Sequence, residues 1–234
     1  MLLSLRPLAV AALASTALTL ACSAPPAPAP TPAPSEPAAA RFDVVIANGR
    51  VVDGTGAPWF TADVGIRGGQ IAALGDLRAA ETVQRVDAAG LVVAPGFIDL
   101  LGQSEFNVLV DNRVASKITQ GITTEITGEG DSIAPVNDAM MANRKASYDF
   151  FKVPQDFRTL DEYFARFEAR QSAVNLGTFV GSGGLRSYVV GQDDRPATAS
   201  EIAEMQKLVA QAMAHGALGV SSSLQYIPNR FSST

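Results

Sequence analysis

Histidine and cysteine are almost missing from this chain: 234 residues hold one of each, His215 and Cys22. One cysteine excludes an internal disulfide, so the folded part relies on its core. One histidine excludes a metal site built on several histidines from these residues alone. A surplus of positive charge is missing too. Eighteen Lys and Arg stand against 23 Asp and Glu, for a net charge of −5, and nothing in that balance points to a nucleic-acid partner. The apolar run at the N-terminus, residues 8–21, has 14 residues. A membrane span needs roughly 20. What remains is 47% hydrophobic and 18% charged, which suits a globular chain with a sizeable core.

The first residues are a different material. Residues 1–6 carry one positive charge, and residues 8–21 form an apolar stretch of signal-peptide length. It ends at Leu20-Ala21-Cys22-Ser23. A lone cysteine after such a stretch resembles a bacterial lipobox, although Thr19 stands three residues before Cys22 where leucine is preferred. The expectation is lipidation at Cys22 and attachment on the periplasmic side of a bacterial membrane. The alternative is an ordinary secretory signal and a soluble periplasmic or secreted protein. Seven of the 14 prolines lie in residues 25–37, and no glycine precedes Gly49. Residues 22–41 therefore read as an extended tether.

From Phe42 the pattern alternates with period two. Residues 43–47 read as a strand, Asn48-Gly49 as a hairpin turn, and 50–52 as the return. Residues 63–67 and 70–74 repeat the device around Gly68-Gly69, and 83–87 and 91–94 flank Gly90. This is part of a small β-sandwich domain, residues 42–94. After Pro95 strands alternate with helices: strands at 97–100, 122–127, 176–181 and 218–222, and helices at 112–119 and 160–171. Thr198-Ala199-Ser200-Glu201 is a capping box. It opens a helix with Ile202, Met205, Leu208, Val209 and Ala212 on one face. The class is α/β with a parallel sheet. A complete (β/α)8 barrel takes roughly 250 residues, so four strands over residues 95–234 read as its first half, in the front part of a larger enzyme. Such a piece alone is expected to be inactive.

Several phrases together are similar to one family. They are Ile46-Ala47-Asn48-Gly49-Arg50-Val51-Val52-Asp53-Gly54-Thr55-Gly56, Ala94-Pro95-Gly96-Phe97-Ile98-Asp99 and Gln120-Gly121-Ile122-Thr123-Thr124, then Ala214-His215-Gly216-Ala217-Leu218-Gly219-Val220-Ser221 and Leu224-Gln225-Tyr226-Ile227-Pro228. The chain resembles the N-acyl-D-amino-acid deacylase (D-aminoacylase) branch of the amidohydrolase superfamily. The resemblance implies a TIM-type barrel, a zinc-held hydroxide that attacks an amide carbonyl, and a carboxylate that passes a proton to the leaving amine. It implies a small-molecule amide substrate, with the catalytic aspartate and the remaining histidine ligands beyond Thr234. Oligomeric state stays open.

The departures from the family are as informative. Its His-x-His after the first barrel strand is replaced by Leu101 and Gln103. Its Gly-Asn-Cys-Gly corresponds to Gly128-Glu129-Gly130, with Glu129 expected as the replacement metal ligand and Asp131 as a weaker alternative. A loop acid that binds nothing is the competing reading of Glu129. Gln103 and Glu105 are expected near the substrate, and the missing histidines imply one zinc ion rather than two. Gly181-Ser182-Gly183-Gly184-Leu185-Arg186 is a glycine-rich loop without the P-loop lysine, and Ser182 stands for the family's histidine. Arg186 could meet a substrate carboxylate or form a surface ion pair. Tyr226 is expected to line the acyl or side-chain pocket. Asp99 is expected to be structural, and His215, at a helix C-terminus, is not expected to be a ligand. Cyclic amide or imide hydrolysis, and a metal-free binding protein on the same scaffold, are the alternative functions.

Overall fold

A computed structural model describes residues 41–232. The lipidation candidate Cys22 lies outside the described residues. Two compact units are present: 41–46 with Asp63–Val86, and Ala47–Ala62 with residues 87–232.

Five strands form the first sheet: β1 (Phe42–Val51), β2 (Phe60–Arg67), β3 (Gln70–Gly75), β4 (Thr82–Asp87) and β5 (Val92–Val93), in the order β3-β2-β1-β4 with β5 paired to β1. β2 and β3 form the expected antiparallel hairpin, turning at Gly68 and Gly69 with φ of 59° and 74°. Only glycine takes two such values freely, as a primed hairpin turn demands. In this unit Gly65 lies under the Phe42 ring, where a Cβ would come within 2.6 Å of Cε1.

Asn48-Gly49 is not a hairpin turn. β1 runs through it unbroken. Asn48 takes φ 64° inside the strand and donates from its side chain to Asp87 at 2.9 Å, while a Cβ on Gly49 would sit 2.5 Å from Val93 Cγ2. The missing side chain of Gly49 lets Val93 approach. Its tertiary partners override the local turn preference.

In the second unit, β6 (Phe97–Asp99), β7 (Ile122–Thr127) and β8 (Asn175–Thr178) form a parallel sheet in that order, and β9 (Val180–Gly181) pairs in parallel with β10 (Val220–Ser221). The expected strand at 176–181 is thus divided at Phe179. The helices are α1 (Asn107–Val110), α2 (Ala115–Ile118), α3 (Asp138–Phe150), α4 (Leu160–Arg170), α5 (Ser182–Val189) and α6 (Ala199–Ala214), and a single 3-10 turn covers Asn229–Phe231.

Of the helix expected at 112–119 only α2 forms, and α1, which was not expected, ends at Val110 before that range begins. Asp111 accepts the Arg113 N–H at 3.1 Å and Val114 turns left-handed at φ 42°, so the backbone is diverted between them. α3 carries little hydrophobic periodicity and was not anticipated, although Asn137 caps it by accepting the Met140 N–H at 2.9 Å. Both α4 and α6 open with capping boxes, Thr159/Glu162 and Thr198/Glu201. Leu208 and Ala212 of α6 are buried, and Met205 and Val209 pack on the same core, but Ile202 is exposed. That core joins Leu109, Tyr148, Phe157, Leu160, Tyr163 and Val180, with edge-on ring contacts such as Phe157 to Tyr163 at 5.4 Å.

The glycine-rich segment from Gly181 to Arg186 is a helix start, not a loop. α5 begins at Ser182, and its glycines allow close approach to the segment after β7. A Cβ on Gly183 would lie 2.7 Å from Gly130 O, and one on Gly184 2.5 Å from Asp131 Oδ1.

Candidate functional site

In a parallel sheet with crossover helices, ligands gather where strands end at their carboxyl side. The segments that follow β6, β7, β9 and β10 supply every candidate side chain. Two cavities open among them. One, of about 280 Å³, is lined by Glu129, Asp131, Ser187, Ser223, Tyr226 and Asn229. The other, of about 340 Å³, is lined by Gln103, Glu105, Asp131, Asn143, Arg144 and Tyr148. Asp131 faces both.

The segment after β7 is shaped by glycine and serine. Gly128 and Gly130 take φ of 87° and 69°. Ser221 of β10 donates its hydroxyl to Gly128 O and accepts the Gly130 N–H at 3.1 Å. Asn229, buried, donates to Gly130 O at 3.4 Å and accepts the Ser182 hydroxyl at 2.8 Å. Between the two glycines Glu129 is exposed, with Ser223 donating to its Oε1 at 3.3 Å. Asp131 is also exposed and lies 3.4 Å from the Arg144 guanidinium.

The segment after β6 carries the other candidates. Gln103 is exposed toward the larger cavity. Glu105 is half-buried, and its Oε2 finds no hydrogen-bond partner among the described residues. Burial pushes the Glu105 carboxyl above its ordinary value, and the negative charges of Asp131 and Glu125 push the same way. Arg144 offsets part of this but spends its own donors on Ile133 O at 2.7 Å and Ser132 O at 3.2 Å. Behind the segment, Glu125 of β7 is fully buried and lies 2.8 Å from Lys117.

The structure brings Glu129 and Tyr226 to one cavity and Gln103 and Glu105 to the other. Arg186 is in neither. Its guanidinium is buried and donates to Asp193 O at 3.0 Å and Arg195 O at 2.6 Å. Leu101 is exposed and ligates nothing. His215 caps the end of α6. Asp99 is paired to Lys117, which holds its carboxyl below the usual range. Sequence reasoning missed Glu125, Lys117, Ser104, Arg144 and Asn229. Only Glu125 left a signal: a carboxylate inside the β-branched run Ile122–Thr127.

A metal has few donors to choose from here. Among the described residues no group of three or more His, Cys, Asp or Glu is placed to hold one. These residues do not make a metal site by themselves.

Comparison with known proteins gives the geometry its context. No protein-family model matches the chain. The D-aminoacylase of Alcaligenes xylosoxydans xylosoxydans is 40% identical over 190 residues, covering 80% of this chain and 39% of that protein. The N-acyl-D-glutamate deacylase of the same organism is 37% identical over 189 residues, covering 80% and 38%. A D-aminoacylase studied for its binuclear metal centre, with activation by one metal and attenuation by a second, matches with a TM-score of 0.73 at 40% identity, over 82% of this chain and 40% of its own. The N-acyl-D-glutamate deacylase of Bordetella bronchiseptica, complexed with zinc and a phosphonate inhibitor, matches with a TM-score of 0.72 at 33% identity, over 83% and 41%. The chain thus spans about two fifths of the length of these relatives. By sequence and by fold it is a homologue of the D-aminoacylase branch of the amidohydrolases, and its parallel β/α units are part of that α/β barrel fold.

Proposed function

Taking the chain as a D-aminoacylase homologue, we propose that the full-length protein hydrolyses the amide C–N bond of an N-acyl-D-amino acid, giving a carboxylate and a D-amino acid. The observation that carries this is the 40% identity to a D-aminoacylase over 80% of the chain. The two cavities at the strand ends support it, because both are of a size for a small amide and both carry polar side chains. Within this reading Tyr226 packs against the substrate in the smaller cavity. Gln103 donates its amide N–H to an acyl or carboxylate oxygen, and Glu105 stands beside it. Arg186 lines neither of these two cavities, and this reading gives it no substrate contact; its Nη2 donates to Asp193 O and Arg195 O.

The cofactor in this proposal is a single zinc ion. This segment would contribute one donor, Glu129, and the rest would come from residues that the matched two fifths does not contain. Cys22 is proposed as a lipid attachment site that holds the protein at the periplasmic side of a bacterial membrane. Radiolabelled palmitate incorporated in the parent and lost in Cys22→Ser would support that; equal labelling of both would oppose it.

The activity test is direct. The full-length protein, supplied with zinc, is offered N-acetyl-D- and N-acetyl-L-amino acids, and released amine is counted. Release from the D series is the expected result. No release from any N-acyl amino acid would overturn the reading.

A further inference from the structure

Residues 100–106 carry Gln103 and Glu105, yet they form neither strand nor helix. Something else must fix them. Asp99 Oδ1 accepts the Leu101 N–H at 3.0 Å. The Gly102 N–H donates to Ile126 O at 2.9 Å. Glu125 Oε1 accepts the Ser104 hydroxyl at 3.0 Å, and the Tyr163 hydroxyl donates to Glu105 O at 2.9 Å. Two of these four anchors are carboxylates, and one cation serves both. Lys117 Nζ lies 2.8 Å from Asp99 Oδ2 and 2.8 Å from Glu125 Oε1.

The arrangement leaves little slack. Glu125 is fully buried, and its Oε2 finds no hydrogen-bond partner among the described residues. Lys117 and Ser104 are therefore what compensates its charge. Asp99 and Glu125 are register partners on adjacent parallel strands. Without a cation, two like charges would face one another there. Gly102 passes so close that a Cβ would lie 2.7 Å from Glu125 Oε1. The backbone thus rests directly on the carboxylate that Lys117 holds. Lys117 responds as expected of such a site: Asp99, and then Glu125, raise its affinity for the proton.

We propose that Lys117 is a positioning residue: its ammonium joins Asp99 to Glu125, fixes residues 101–104 between them, and so sets where Gln103 and Glu105 stand in the larger cavity. The fixing of the backbone stands on geometry alone. Its consequence for substrate rests on the amidohydrolase reading. If the ammonium is removed, Glu125 loses its charged partner and no longer holds Ser104 in place. Asp99 turns to solvent and releases the Leu101 N–H.

The test uses the full-length protein with Lys117→Met, Lys117→Arg, Ser104→Ala and, as a control, Lys145→Met at an exposed surface pair with Asp149. Amide hydrogen exchange is read on peptides spanning 99–106 and 199–214, and steady-state kinetics on an N-acyl-D-amino acid. In Lys117→Met, exchange over 99–106 should quicken tenfold or more with 199–214 unchanged. KM should rise about tenfold while kcat moves less, and Lys117→Arg should recover part of both. Ser104→Ala keeps the three charges and should show the same pattern more weakly, so it decides the matter should Lys117→Met not fold. Unchanged exchange over 99–106 in Ser104→Ala and Lys117→Met, or quickening spread equally over 199–214, would overturn the proposal. Selective quickening in a parent protein that cleaves no N-acyl amino acid would leave the positioning intact and remove the functional reading instead.

Discussion

Residues 100–106, after β6, are held from behind by a cluster of Asp99, Lys117 and the fully buried Glu125, whereas residues 128–132, after the neighbouring β7, are held mainly by glycine, serine and asparagine. In the first segment the anchoring charges face inward, and Leu100, Leu101 and Gln103 are exposed. In the second most anchors are neutral, the Arg144 guanidinium on Ser132 O being the charged one, and Glu129 and Asp131 are exposed at the cavities. A buried ionic anchor suits a wall that must not move. A neutral anchor leaves carboxylates available to bind something. In the proposed reading, metal donation falls to Glu129 of the second segment, and Gln103 and Glu105 of the first face the substrate.

The contrast can be broken most forcefully at Gly128. Its φ of 87° disfavours any side chain, and a Cβ would lie 2.2 Å from Phe179 O. Left-handed strain and overpacking together should cost about 3 kcal/mol in Gly128→Ala, read as a lowered urea midpoint. Exchange over 128–132 should quicken while that over 100–106 does not. A smaller loss should follow at a distance from both segments. Thr198→Ala removes the capping box of α6 and should cost about 1 kcal/mol, with exchange in both segments unchanged. If either segment loosens, the two are less independent than their anchors suggest.

The smallest effect should have the opposite sign. Glu105 binds its proton more tightly folded than unfolded, because burial raises its value above about 4.5. Stability from this group is therefore fully present below that range and is lost as pH rises through the raised value. Glu105→Gln should remove that loss. The variant should be slightly more stable than the parent at neutral pH, and the two should converge in acid. Urea midpoints across pH would show this; a variant less stable at neutral pH would mean that the ionised carboxylate is better compensated than its surroundings imply.

Much of the fold was legible because it is written locally. Alternation gave β2 and β3, the β-branched run at 122–127 gave β7, and the Thr198/Glu201 pair gave the start of α6. What failed was set by tertiary contact. Asn48-Gly49 carries the local signature of a hairpin, but Asp87 and Val93 hold it inside β1. Gly183 and Gly184 read as a loop, yet they let α5 lie against Gly130 and Asp131. Legible as residue types were Glu129, Gln103, Glu105 and Tyr226, which the structure sets at the two strand-end cavities. The supports behind them were not. Lys117 is one lysine in a short helix, and its role exists only because the β6–β7 register sets Asp99 beside Glu125.

The most direct test of the division of labour is zinc content. Full-length parent, Glu129→Ala and Glu105→Ala are dialysed against a limiting zinc buffer and their metal is counted. The prediction is that Glu129→Ala loses most of its zinc while Glu105→Ala retains the parent's. Full zinc in Glu129→Ala, or loss in Glu105→Ala, would contradict the assignment of metal contact to the segment after β7.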